Sequence, residues 1–235
     1  MAAVLDSQSP ELTRRDAALV RRHGINYALF VPNTGYGLER YIKRGAANEL
    51  QNVVAQLATD GSSRAAAFQV YLATVWTLGA DHASLPESRA RCFAAAHRGD
   101  PYAMYVCAWV CLKEGKNVDA TNWMRKAATR DGFLPAFVEV GRFAAGGIGF
   151  KSPDLAAAFP IFRQSHKLGH RLALVYMANC LMLGVKGWIG RAIGVLLWLP
   201  AAIRAHSYWM RYPLSERVFV TPSNRQRPLF KNAAK

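Results

Sequence analysis

Apolar residues recur at i, i+3 and i+4 in Ala-rich segments from Leu12 onward, while period-two alternation and β-branched runs are nearly absent. That period belongs to helices, so the chain is predicted to be all-α. Ser9-Pro10 marks the start of an early helix whose Arg14, Arg15, Arg21 and Arg22 are offset by Glu11 and Asp16, the composition of a solvated face. Internal repetition constrains the fold more than propensity does. Superimposing Gly99, Gly132 and Gly169 places Ala103, Ala136 and Ala173 four residues on. Eight and nine residues on come Cys107-Ala108, Val140-Gly141 and Met177-Ala178. Small residues thus recur where helices must approach. Glu114, Gly147 and Gly184 follow at fifteen, with Gly115 one place late, and the glycines are expected to end each first helix in the left-handed conformation.

A second helix is predicted after each turn, clearest in Ala120-x-x-Trp123-x-x-Lys126-Ala127-Ala128, with Trp123 expected as a buried wedge between helices. The anchors are 33 and 37 residues apart, each interval long enough for two helices of three to four turns. Residues 64–187 resemble the Sel-one-like repeat, a tetratricopeptide-like αα unit. The family pattern A-x-x-x-L-G-x-x-Y-x-x-G-x-G-V is matched in its first half by Ala136, Val140-Gly141, Gly147, Gly149 and Phe150. Its second half, A-x-x-W-x-x-K-A-A, is matched by Ala120, Trp123, Lys126, Ala127 and Ala128. A degenerate earlier unit is visible in Leu72-Ala73-x-x-Trp76-x-x-Gly79 and Ala90-x-x-Phe93. The chain departs from the pattern where Cys111, Ala144 and Leu181 fill the tyrosine slots, and where Pro160 falls inside a second helix and predicts a kink or late start there. The resemblance implies a right-handed αα-solenoid that binds proteins and has no catalytic residues. Ala103, Trp123, Ala127, Ala136, Gly141, Gly147 and Ala173 are the expected repeat-packing positions.

A 235-residue chain that is 51% apolar has enough material for a real core and for one or two domains. Thirty Lys plus Arg against fifteen Asp plus Glu give a net charge of +15, which favours anionic partners or surfaces. Net charge climbs from +1 over residues 1–63 to +6 over 64–184 and +8 over 185–235, where Glu216 is the one acid. Residues 1–6 have no positive leader and the apolar stretch 25–31 is short, so export is not expected. Four cysteines at 92, 107, 111 and 180 are too sparse for a disulfide framework and read as thiols in a reducing cytoplasm.

Chemical motifs are weak. Gly146-Gly147-Ile148-Gly149-Phe150-Lys151-Ser152 resembles a phosphate loop, but Phe150 separates glycine from lysine and the turn follows a helix, so a repeat turn is expected. Cys107, Cys111 and His97 sketch a metal site, yet residues 102–112 are wholly apolar and favour buried structural thiols. His166 and His170 straddle Gly169 without a glutamate between them, unlike a zinc-protease helix. No carboxylate pair and no nucleophile elbow is present, so neither an enzymatic activity nor a cofactor or metal is expected.

Residues 187–203 read GWIGRAIGVLLWLPAAI with Arg191 as the only charge. Seventeen helical residues reach about 25 Å, short of a hydrocarbon core of about 30 Å, which disfavours a full span. Gly187, Gly190, Arg191, Gly194 and Ala201 share a thin face and the bulky residues cover the rest. The helix is therefore expected either to cap the solenoid or to meet a membrane or a protein, with membrane contacts at Trp188, Ile189, Leu196, Leu197, Trp198, Arg204, Trp209 and Arg211. The expected organisation is an N-terminal helical segment (1–63), αα repeats (64–187), an apolar helix (188–212) and a basic tail (213–235). The function it suggests is a protein-binding adaptor or scaffold in the cytoplasm, peripheral on the inner face of a bacterial-type anionic membrane. Nucleic-acid binding is the alternative, since the same cations neutralise phosphates.

Overall fold

The computed structural model describes residues 47–59, 61, 63–77, 80–129 and 133–211, without the side chains of 47–50, 53, 57, 76 and 209–211. The early helix with its four arginines, Gly79, the anchor Gly132 and the basic tail lie outside these residues. Every regular element described is helical: α1 (Ala47–Thr59), α2 (Ser63–Tyr71), α3 (Leu85–Arg98), α4 (Pro101–Lys113), α5 (Asn117–Thr129), α6 (Leu134–Gly146), α7 (Leu155–Lys167), α8 (Arg171–Met182) and α9 (Gly187–Arg211). A π-helical turn, Leu72–Trp76, extends α2 and closes at Thr77, whose φ of 56° is left-handed for a β-branched residue. Lys113 Nζ donates to the Ala73 carbonyl of that turn at 3.1 Å.

Local sequence accounts for the boundaries. Asp100 caps α4 by accepting from the Ala103 amide at 2.7 Å, with Pro101 in the first turn, and Asp154 caps α7 in the same way through Ala157 at 2.8 Å. Each such cap contributes about 1 kcal/mol. The first helices end as the alignment predicts: α4 at Gly115, α6 at Gly147 and α8 at Gly184, all with positive φ. Pro160 lies inside a continuous α7, and the late start is visible. Helix α7 begins eight residues after Gly147, whereas α5 begins two residues after Gly115.

Each helix packs against the next in sequence, and α2 also touches α4. Side chains extend the contacts across alternate helices. Tyr71 of α2 meets Tyr105 of α4 at 6.4 Å between ring centroids, and Trp109 of α4 meets Phe143 of α6 edge-on at 5.8 Å. The Arg142 guanidinium of α6 lies 6.0 Å from the ring of Tyr176 in α8. On the other set of helices His97 of α3 meets Trp123 of α5 at 5.2 Å. Ala103, Ala136 and Ala173 are all buried, as are Ala127 and Gly141. A Cβ on Gly141 would come within 2.5 Å of the Phe162 ring, so α6 and α7 approach as closely as glycine allows. The departures from the family pattern are absorbed in the interior, with Cys111, Ala144 and Leu181 all buried.

Trp123 differs from expectation. It is half-buried against the core, between the His97 ring and the Lys126 ammonium at 4.9 Å, while its neighbour Met124 takes the fully buried position. An indole at the edge of the inward stripe covers the α3–α5 seam from outside rather than filling it. A buried ion pair was not anticipated from the sequence. Glu139 and Arg142, one turn apart on α6, pair at 2.7 Å with both side chains almost fully enclosed. Burial opposes the charge on Arg142, but the Glu139 carboxylate, the Tyr176 and Tyr105 side chains and the hydrogen bond to Glu139 together outweigh it and move the guanidinium pKa upward. Opposite charges at i, i+3 in an otherwise apolar helix are the signal for such a pair.

Because Ala136 is fully enclosed at a helix approach, Ala136→Leu is expected to destabilise the fold by about 1 to 3 kcal/mol. A urea titration would show this as a lower midpoint with an unchanged slope, and a parental midpoint would remove Ala136 from the crossing.

Candidate functional site

Helix α9 is the element whose sequence and surroundings disagree most. It follows a turn in which Gly184 and Gly187 have φ of 99° and 63°, and the Lys186 carbonyl accepts its first bond from the Gly190 amide at 3.1 Å. The positions buried along it, Gly190, Gly194, Ala201 and Ala205, keep one narrow side on α8. The approach at Gly194 is closest. A Cβ there would lie 2.7 Å from the Met182 amide nitrogen and 2.8 Å from the Ala178 carbonyl oxygen, both backbone atoms that cannot rotate away. At the far end of the seam the Arg171 guanidinium of α8 stacks 5.3 Å from the ring of Tyr208.

With small residues on the seam, bulky ones must face outward. Trp188 is 79% exposed and Leu196 75%, and Ile189, Ile193, Val195, Leu197, Trp198, Leu199 and Ile203 are exposed as well. Of the predicted contact residues, Trp188, Ile189, Leu196, Leu197, Trp198 and Arg204 lie on the open surface of α9. Trp209 and Arg211 belong to its last turn, with side chains outside the description. A continuous apolar face of this kind marks an interaction surface rather than scattered exposure.

The length expectation is corrected. The helix continues through Pro200 to Arg211, and Gly187–Tyr208, 22 residues, is long and apolar enough to cross a membrane. At 1.5 Å per residue that stretch reaches about 33 Å. The apolar run alone was too short because the helix carries on beyond Ile203 through polar residues.

The surrounding charge is one-sided. No Asp or Glu occurs between Asp154 and Glu216, so α7, α8 and α9 carry cations without acids. Arg163, Lys167, Arg171, Lys186, Arg191 and Arg204 are all exposed. Arg191 reaches over the preceding turn, where its Nη2 would lie 3.3 Å from a Cβ on Gly184. This acid-free stretch was legible in the sequence as a gap in the carboxylates, a sharper signal than net charge per segment.

The other motifs resolve into packing. The turn after α6 closes on α5, where Thr121 Oγ1 donates to the Ile148 carbonyl at 2.9 Å and a Cβ on Gly149 would collide with Thr121 Oγ1. Its backbone is therefore committed to helix packing. His166 sits in the last turn of α7 and His170 caps α8 from a buried position. All four cysteines are free and buried, and His97 faces Trp123. Cys92 and Cys107 lie with sulfurs 4.0 Å apart, and their hydrogen bond together with burial pushes the Cys92 thiol far up. Burial raises Cys111 also and pushes Cys180 up to about 12. No group of three or more His, Cys, Asp or Glu suited to a metal occurs among the described residues.

Comparison with protein-family models, curated proteins and solved structures finds no match to this chain.

Two outcomes follow from the site. Gly194→Ala is expected to unseat α9 at a cost of about 1 to 3 kcal/mol despite the better helix propensity of alanine, because the clash is with backbone. Thermal unfolding that is unchanged or improved would show that the seam is looser than described. Burial keeps all four cysteines covered, so at pH 8 a thiol reagent should modify none of them in the folded protein and all of them in denaturant. Rapid native labelling at any of these positions would contradict the packing.

Proposed function

We propose that this chain is a non-enzymatic adaptor, a right-handed αα-solenoid of Sel-one-like units that binds proteins and is held at an anionic membrane surface by α9. The observation that carries the membrane part is the open apolar face of α9 beside exposed cations that have no acid on the same three helices. The solenoid part is supported by the side-chain contacts between alternate helices and by the glycine-ended first helices. Apolar burial and attraction to anionic headgroups reinforce one another, with about 1 kcal/mol for each well-placed Lys or Arg. A cytoplasmic location on the inner leaflet follows from the sign of the charge, since that leaflet carries the anionic lipid.

Nucleic acid is the second reading, favoured by the same exposed cations. Bases could stack on exposed rings such as Trp188, but they would leave the aliphatic side chains that make up most of the α9 face without a role.

Co-sedimentation with vesicles containing phosphatidylglycerol, alongside binding to an oligonucleotide, separates the two. Reversing charge with Arg204→Glu and Arg211→Glu is expected to weaken vesicle binding by about tenfold or more and to lower the salt concentration at which the protein releases. Helicity measured by circular dichroism should stay at the parental level. A double variant that binds with parental affinity and salt midpoint would remove electrostatics from the docking and leave α9 as a cap on the helical stack.

A further inference from the structure

We infer that α9 lies in the plane of an anionic bilayer surface with α8 still seated along it, its apolar face in the acyl boundary and its flanking arginines at the lipid phosphates. This rests on the membrane reading above and adds the geometry, which matters because α9 is long enough to cross.

The seam is the first reason. Helix α9 is held to α8 from Gly194, against Met182 and Ala178, as far as Tyr208 under the Arg171 guanidinium. A crossing α9 must either abandon that seam or draw α8 into hydrocarbon with Arg171 and Asn179 on it. Neither is needed if α9 stays on the surface, because the side that faces α8 is the opposite of the apolar one.

The second reason is where the arginines fall. Arg191 and Arg204 are thirteen residues apart, about 20 Å along the helix axis. In a helix crossing over Gly187–Tyr208 both would sit about 10 Å from the midplane, inside a hydrocarbon half-thickness of about 15 Å. Charge at that depth is costly. Around the helix, however, both residues fall on the flanks between the α8 seam and the outward face of Leu196, Leu199 and Ile203. An in-plane helix uses such flanks well, since the arginine stem lies along apolar surface while the head reaches phosphate.

Charge complementarity identifies the surface as anionic. Arg163, Lys167, Arg171 and Lys186, on α7, on α8 and in the turn before α9, are exposed, as are the two flank arginines, and the sequence holds no carboxylate between Asp154 and Glu216.

The test uses the full chain with a C-terminal epitope tag, added to preformed vesicles of phosphatidylcholine with or without phosphatidylglycerol. Trypsin supplied outside should remove the tag from intact vesicles as fast as after detergent, because Arg217 and Arg225 stay on the outer side. An environment-sensitive label on Leu196→Cys, an exposed position in a protein whose own thiols are buried, should be quenched best by lipids brominated near the top of the acyl chains. Binding should also be at least about tenfold tighter with phosphatidylglycerol present. A tag protected until detergent is added, with label quenching strongest from bromines near the chain ends, would make α9 a span and overturn this inference while leaving membrane attachment intact. Equal binding to both vesicle types would remove the anionic requirement. Failure to bind either would overturn the membrane reading itself.

Discussion

Close approach of helices at alanine and glycine is the constraint on which the rest of this structure depends. Ala103, Ala136 and Ala173 at the starts of alternate helices, Gly141 against Phe162, and Gly194 against the backbone of α8 all allow neighbouring backbones to come nearer than larger residues would. Once those positions are small, the space beside them has to be filled by large residues from one helix reaching to another. Tyr71, Tyr105, Trp109 and Phe143 do this along α2, α4 and α6, giving edge-on and tilted ring contacts in a core otherwise rich in alanine. The buried cysteines belong to the same logic, acting as compact apolar groups.

Charges divide by environment. Arg142 and Glu139 face each other in the interior, where loss of either would leave the other without its neighbouring opposite charge. On the surface, Arg89 of α3 pairs with Glu114 at the end of α4, and Lys116 pairs with the same carboxylate at 2.9 Å. The hydrogen bond from Lys116, then that from Arg89, lowers the Glu114 pKa, so this tie contributes above the ordinary glutamate range and fades as pH falls through the lowered value. Exposure of all three side chains keeps its contribution small. Toward α9 the acids disappear altogether, with no Asp or Glu between Asp154 and Glu216.

Helix α9 brings the packing and electrostatic constraints together. Its small residues are used by the fold and its large ones are not, which inverts the usual amphipathic helix that buries bulk and exposes polarity. The result is a large exposed apolar face next to exposed positive charge, which is the observation on which the proposed membrane docking rests.

Much of this was legible in sequence because it depends on local spacing. The absence of strands among the described residues follows from the apolar period, and the ends of α4, α6 and α8 from glycine, which alone takes the left-handed turn without strain. The small-residue side of α9 follows from Gly190 and Gly194. Other features required three dimensions. Trp123 sits at the rim of a seam because Met124, one residue on, points to its centre, and a sequence stripe does not choose between two adjacent large residues. The enclosure of Glu139 and Arg142 arises from the neighbours that surround α6. Periodicity along one chain determines which faces are small, apolar or charged. Only the packed structure decides which of those faces are covered, because burial is a property of neighbours far away in sequence.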